Sequence, residues 1–169
     1  MISKKVILVG DFATGKTSLI RRFVDNQFSD TYLSTIGVKI SKKKLTLANG
    51  IEVQCMIWDI EGGTQSKPVN TTYFTGTHGA FLVADITREE TINHLSDYLA
   101  ILKEKYPGVP VIIALNKSDK LPLEDAKNRV DKVAEAYKGD IITTILTSAK
   151  TGEGVEEMFY SMAEAMTAG

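Results

Sequence analysis

Four short runs of the chain are continuously apolar rather than alternating: KKVILVG at 4–10, GAFLVADI at 79–86, VPVIIALNK at 109–117 and DIITTILTS at 140–148. Such runs predict parallel strands covered on both faces. Between them apolar residues recur at helical spacing, at Leu19, Ile20, Phe23 and Val24, at Ile92, Leu95, Leu99 and Leu102, and at Val155, Met158, Phe159 and Met162. The Met and Phe stripe reads as core packing rather than a cofactor box, because Met fills gaps in cores. Residues 38–58 differ. VKISKKKLTL and IEVQCMIWDI are joined by Ala48, Asn49 and Gly50, and Asn-Gly is a strong hairpin signal, so one antiparallel pair is expected at the edge of the sheet. The order strand, helix, hairpin, then three strand-helix alternations predicts a three-layer α/β fold. Its sheet should be mostly parallel and six-stranded, with one antiparallel edge strand, and residues 1–169 should form a single domain.

Length and composition narrow the function class. With 169 residues the chain can bury a core without disulfides or a structural metal. A formal net charge of -1 with interspersed signs implies neither a nucleic-acid footprint nor a polybasic membrane patch. Lys42, Lys43 and Lys44 form the one basic cluster, read as an edge strand blunted by lysines. The single Cys55 excludes an internal disulfide and fits a reducing compartment. No apolar run approaches the roughly 18 residues that cross a bilayer, and MISKKVILVG does not read as a signal peptide. A cytoplasmic monomer is expected. The final AMTAG has no cysteine to carry a prenyl group, so membrane association would need a further tail or a partner.

GDFATGKT, residues 10–17, fits GxxxxGK[ST] between a strand run and a helical pattern. Glycines at 10 and 15 let the backbone curl so that N–H groups converge on phosphate oxygens, and the following helix presents its positive end to them. Lys16 supplies a point charge for β- and γ-phosphates, and the Thr17 hydroxyl is a hard ligand suited to Mg²⁺. This motif alone is shared by ATPases and small-molecule kinases. NKSD at 116–119 follows VIIAL, so Asn116 and Asp119 lie at the carboxyl end of a strand, where open α/β sheets bind ligands. The Asp119 carboxylate can accept from N1–H and the 2-amino group of guanine, which adenine does not offer. Taken alone, the tetrad also fits a helix N-cap. TSAK at 147–150 follows the last strand, where the Ala149 N–H can meet guanine O6 and Lys150 can cover the base.

With GDFATGKT, Thr35 in YLSTIG, DIEG, NKSD and TSAK in this order and spacing, the chain resembles the Ras superfamily of small GTPases over essentially its whole length. YLSTIGV at 32–38, WDI before DIEG and GTHGAFLVADITREET at 76–91 are similar to the Rab branch. The resemblance implies the P-loop small G-protein fold, GTP or GDP with Mg²⁺ as ligands, and GTP hydrolysis. It implies a nucleotide site of Ala13, Thr14, Gly15, Lys16, Thr17, Ser18, Phe28, Tyr32, Thr35, Gly62, Asn116, Lys117, Asp119, Ser148, Ala149 and Lys150. Phe28 would lie near the base and Tyr32 over the phosphates. Thr17 and Thr35 would bind Mg²⁺ directly and Asp59 through water, and the Gly62 N–H would meet the γ-phosphate. Lys16, Thr35 and Gly62, with Glu61, are the candidate catalytic residues. Segments 30–38 and 61–75 would be ordered by the γ-phosphate and read by effector, exchange-factor and activating proteins.

DIEGGTQSK, residues 59–67, departs from the family pattern. Counting from Asp59 to TYFTGTHG needs no insertion, so the position of the usual water-orienting glutamine is Gly63. Gln65, two residues on and expected on the first turn of a helix, points elsewhere. Phe12 stands where the family commonly has a small residue and would crowd the γ-phosphate side. Glu61, at a usually small position, would be unfavourable near that phosphate unless it turns outward or reaches Mg²⁺. Slow intrinsic hydrolysis and a poor response to an arginine-finger activator are expected. The rival reading makes Glu61 a substitute water-orienting group, and a further alternative is a nucleotide-stabilised binding module that hardly cycles. An ATP-dependent P-loop enzyme is disfavoured by NKSD and TSAK. Lys39, where a Rab-like chain often carries an acid, argues against recognition by standard Rab partners. His78 and His94 are too isolated for a metal site, and Ser18, Ser34 and Ser66 lack a His and Asp pattern for nucleophilic catalysis.

Overall fold

The computed structural model describes residues 1–31 and 33–168. Its elements run β1 (Ile2–Gly10), α1 (Lys16–Asp25), β2 (Val38–Thr46), β3 (Glu52–Ile60), β4 (Gly79–Asp85), α2 (Glu89–Asn93), α3 (Leu95–Lys105), β5 (Val111–Asn116), α4 (Leu123–Ala136), β6 (Thr143–Leu146) and α5 (Val155–Thr167). The strands form one six-stranded sheet in the order β2-β3-β1-β4-β5-β6. β2 pairs antiparallel with β3, from Val38 opposite Ile60 to Thr46 opposite Glu52, and the other pairings are parallel. The lysine-bearing β2 lies at the edge, where charge discourages pairing with another chain.

The continuous apolar runs have the expected cause. In β1, Val6 and Leu8 join one core cluster with Phe23 of α1 and Met158, Phe159 and Met162 of α5. Ile7 and Val9 join the opposite cluster with Leu95, Leu99 and Leu102 of α3 and Val133 of α4. Successive side chains point to opposite faces of a strand, so burial of both faces requires an apolar residue at every position. Phe159 stacks on Phe23 with ring centroids 4.0 Å apart and meets Phe81 of β4 edge-on at 5.1 Å. These rings lock α1 and α5 onto the sheet and so fix where α1 begins.

One local feature departs from the expected pattern. Residues 61–70 are not helical. Gly63 bridges to Asp11, and only a 3-10 turn at Thr71–Phe74 follows. The Gly62-Gly63 pair is a poor helix former and Pro68 lacks an N–H, so the segment instead extends the sheet pairing toward the phosphate loop. Gln65 is therefore exposed in an irregular segment rather than on a helical turn. α4 is the helix expected between β5 and β6; its apolar residues are sparse, with Ala126 and Val133 buried.

Candidate functional site

β1 ends at Gly10, and the chain then curls over residues 11–15 into α1. Gly15 takes a left-handed φ of 97°, and a Cβ there would lie 2.3 Å from the Asn116 side-chain nitrogen. Any other residue would push the loop off β5. Ala13 is also left-handed, with φ 64°. Lys16 is buried, and its ammonium donates to the carbonyls of Gly10 at 3.3 Å and Asp11 at 3.2 Å. Burial pulls its pKa down to about 8, against the opposing pull of Asp59 and Asp11. A buried cation with weak carbonyl partners is built to receive an anion.

Beside it three oxygens from three segments converge. The Thr17 hydroxyl donates to Asp59 Oδ2 at 2.5 Å, the Thr35 hydroxyl donates to the same oxygen at 2.8 Å, and the two hydroxyls are 2.7 Å apart. Asp59 is 2% exposed, yet its Oδ1 has no hydrogen-bond partner among the described residues. A buried carboxylate oxygen without a partner is costly unless it faces a cation or ordered water. Two hydroxyls and a carboxylate are hard donors of the kind Mg²⁺ prefers, so the residues fit that ion. A cavity of about 30 Å³ at this end is lined by Phe12, Lys16, Thr17, Thr35, Asp59 and Gly62, among others.

A larger cavity, about 420 Å³, opens alongside, lined by Ala13, Gly15, Ser18, Phe28, Asn116, Lys117, Asp119, Ala149 and Lys150 with neighbours from 29–31 and Leu33. Every expected base-side residue except Ser148 lines it directly. Ser148 acts from behind, its hydroxyl donating to Asp119 Oδ1 at 2.7 Å, which orients that carboxylate. Asn116 spends its side chain on the frame: Nδ2 donates to the Thr14 carbonyl and Oδ1 accepts from the Thr147 hydroxyl, both at 3.0 Å. Lys117 donates to the Ala13 carbonyl at 2.9 Å and pairs with Asp85 at 3.0 Å. Burial alone would raise the Asp85 pKa, but hydrogen bonds from Thr87 and Lys117 hold it below its ordinary value. Tyr32 lies outside the described residues.

The departures in DIEGGTQSK have a definite geometry. Glu61 turns to the neighbouring segment: Oε1 accepts from the Gly37 N–H at 2.8 Å, the Glu61 N–H donates to the Gly37 carbonyl at 2.8 Å, and Oε2 pairs with Lys67 at 3.0 Å. The Gly37 and Lys67 contacts hold its carboxyl below its ordinary pKa. Gly62 packs on the phosphate loop so closely that a Cβ would lie 2.6 Å from Phe12 Cα. The Gly63 N–H donates to the Gly10 carbonyl at 3.1 Å and its own carbonyl accepts from the Phe12 N–H at 2.9 Å. A Cβ on Gly63 would lie 2.7 Å from the Tyr98 hydroxyl. Gly63 thus borders a second cavity of about 620 Å³ against α3, not the small one at the phosphate end. Phe12 is 45% exposed and lines both.

Sequence reasoning missed several supporting residues. Asp11, inside the glycine motif, accepts from the Tyr98 hydroxyl and from His94 Nδ1, each at 2.5 Å, tying the loop to α3. The Asp11 hydrogen bond raises the His94 pKa. Arg22 donates from Nε to the Ala149 carbonyl at 2.7 Å and from Nη2 to the Lys150 carbonyl at 2.5 Å, holding the loop that follows β6. Only three-dimensional proximity links Asp11 with Tyr98 or Arg22 with Lys150, so no spacing could have revealed them. His94 ties the start of α3 to the phosphate loop.

Comparison with known proteins agrees with this geometry. The model of the Ras family matches residues 5–168. The chain is 33% identical over 162 residues to Ras-related protein Rab-1C of Dictyostelium discoideum, covering 94% of this chain and 78% of that protein. It is 34% identical over 161 residues to Ras-related protein Rab-13 of Bos taurus, covering 94% and 77%. Ras-related protein Rab-1 of Theileria annulata is 32% identical over 163 residues, covering 96% and 73%. No helix among the described residues is long and apolar enough to cross a membrane. With a phosphate loop, an oxygen cluster and a larger cavity side by side, the two cavities sharing Ala13, Gly15 and Leu33 in their linings, the chain belongs to the Ras family of small GTPases, Rab-like switch proteins that bind GTP or GDP with Mg²⁺.

Proposed function

We propose that this chain is a guanine-nucleotide switch whose GTP state is long-lived, because it lacks a group to orient the attacking water. The carrying observation is the geometry at residues 61–63. Glutamine is replaced by Gly63, which borders the α3 cavity, and both oxygens of Glu61 are engaged by Gly37 and Lys67. Lys16 would neutralise the β- and γ-phosphates, Thr17 and Thr35 would hold Mg²⁺ directly and Asp59 through water, and the Gly62 N–H would meet the γ-phosphate. Bound Mg²⁺ would supply charge neutralisation across the β- and γ-phosphates. Phe28, Asn116, Lys117, Asp119, Ser148, Ala149 and Lys150 would form or brace the base site. Phe12, half-exposed at the phosphate end, would obstruct an arginine entering from an activator.

In this reading Glu61 couples the two switch segments and is not the water-orienting base. Glu61→Gln and Glu61→Ala test it by single-turnover GTP hydrolysis. An unchanged rate in both variants is expected, whereas a collapse of hydrolysis in Glu61→Gln would move the role to that carboxylate. A second reading, a nucleotide-stabilised module that hardly cycles, draws on the same observation, since the Glu61–Gly37 pairing joins the two segments through the protein's own groups. Partner surfaces on 30–38 and 61–75 would then look alike with GDP and GTP. Amide exchange of residues 33–38, compared between the two nucleotides, separates the readings: a switch predicts a large difference and a static module none.

A further inference from the structure

The turn between β4 and α2 carries an arginine that none of the nucleotide motifs contains. Arg88 Nη1 donates to the carbonyls of Phe12 at 3.1 Å and Ala13 at 3.4 Å. Its base is fixed, with the Arg88 N–H donating to the Asp85 carbonyl at 3.0 Å and the Thr91 hydroxyl donating to the Arg88 carbonyl at 2.7 Å. Glu90 Oε1 accepts from Nε at 3.3 Å and steadies the guanidinium. The Ala13 carbonyl also accepts from Lys117 at 2.9 Å. Two cations from separate loops therefore meet on one carbonyl of the phosphate loop.

The direction of these carbonyls matters. In a trans peptide the C=O and the next residue's N–H point oppositely. Holding the Phe12 and Ala13 carbonyls outward aims the N–H groups of Ala13 and Thr14 inward, toward the side where Lys16 and the phosphate end lie. Ala13 needs such support, because its φ of 64° is a left-handed conformation that residues with a Cβ rarely adopt. A charged donor on a peptide carbonyl also polarises that peptide and strengthens its N–H as a donor.

We propose that Arg88 is a positioning residue for the nucleotide phosphates, acting through the Phe12 and Ala13 carbonyls to preorganise the N–H groups of the phosphate loop. The inference rests on the guanine-nucleotide reading of the cleft. It requires no contact between Arg88 and the nucleotide.

The test uses the full chain and its Arg88→Ala, Arg88→Gln and Arg88→Lys variants, loaded with fluorescent GDP and chased with excess GDP in Mg²⁺. Arg88→Ala is expected to release GDP roughly tenfold faster, the effect of losing one charged hydrogen bond at a partly exposed site. Arg88→Lys should recover much of that loss. The ³¹P resonance of the β-phosphate of bound GDP should move in Arg88→Ala and return in Arg88→Lys, a signature that loss of general stability does not produce. If Arg88→Ala folds poorly, Arg88→Gln carries the test: melting with the parent but releasing GDP faster supports the role. Parental release with an unmoved ³¹P spectrum in both neutral variants overturns the role of Arg88 alone. A parent that retains no guanine nucleotide overturns the nucleotide reading, and this inference with it.

Discussion

Restoring the missing glutamine should not restore hydrolysis, and the reason lies in α3. A Cβ at residue 63 would stand 2.7 Å from the Tyr98 hydroxyl and 3.1 Å from Val69 Cγ2. The backbone is not the obstacle, since Gly63 is outside the left-handed region. The phenol is not free to yield, because its hydroxyl donates to Asp11 Oδ1 at 2.5 Å. Burial and that carboxylate together raise the Tyr98 pKa, so the hydroxyl keeps its proton and its hydrogen bond across the working pH range. Overpacking of this kind costs about 1 to 3 kcal/mol. Taking about 2 kcal/mol, a chain of this size should lose about 4 to 8 °C in melting temperature. Gly63→Gln is therefore expected to melt lower by that amount and to hydrolyse GTP no faster than the parent in a single-turnover assay. Tyr98→Phe removes the oxygen that the new Cβ would strike. In a double-mutant cycle the penalty of Gly63→Gln should shrink by about 1 kcal/mol in the Tyr98→Phe background. A Gly63→Gln protein that melts with the parent and hydrolyses GTP tenfold faster would refute the reasoning.

Three further outcomes follow from the geometry. His94 should titrate in an NMR experiment with a midpoint above the 6.5 of a free histidine, because of its hydrogen bond to Asp11. Since the folded pKa is the raised one, the stabilisation is present below the unfolded value and lost as pH rises through the folded one; the melting difference between parent and His94→Gln should therefore be larger at pH 6 than at pH 8.5. A midpoint at or below 6.5 contradicts this. Asp59→Ala removes the oxygen shared by Thr17 and Thr35, so GDP retention should lose its dependence on Mg²⁺; an undiminished response to EDTA would speak against the metal assignment. Phe159→Ala should cost about 3 to 5 kcal/mol in chemical denaturation, as expected for a buried ring that packs on Phe23 and Phe81.

What the sequence conveyed and what it withheld divide along a physical line. Continuous runs such as VIIAL and the Asn49-Gly50 turn encode their own strand environment, so the sheet and its antiparallel edge were legible. Lys16, Thr17 and Asp119 stand out in the sequence because a phosphate loop and a base loop need particular residues at fixed local offsets, and they line the two neighbouring cavities. The direction of a side chain in an irregular segment is set by its distant neighbours. Sequence alone leaves Glu61 unfavourable near the phosphate unless it turns outward or reaches Mg²⁺, and its carboxylate turns to Gly37 and Lys67. The helix expected around Gln65 is absent because Gly63 pairs with Asp11 instead, a contact spanning 52 positions that local pattern does not register. Asn116 lines the larger cavity, and its amide also ties Thr14 to Thr147, a framing role that residue type does not announce. Arg22, Arg88 and Tyr98 act through backbone carbonyls or through Asp11, and carbonyl partners leave no trace in residue type.

The most direct measurement is the fate of GTP on the purified protein. Loaded with GTP in Mg²⁺ and followed by chromatography of the bound nucleotide, the protein should retain guanine nucleotide in preference to adenine. It should convert GTP to GDP at a tenth or less of the roughly 4 × 10⁻⁴ s⁻¹ of a glutamine-bearing relative. Conversion at or above that relative's rate, with Gly63 in place, would contradict the account.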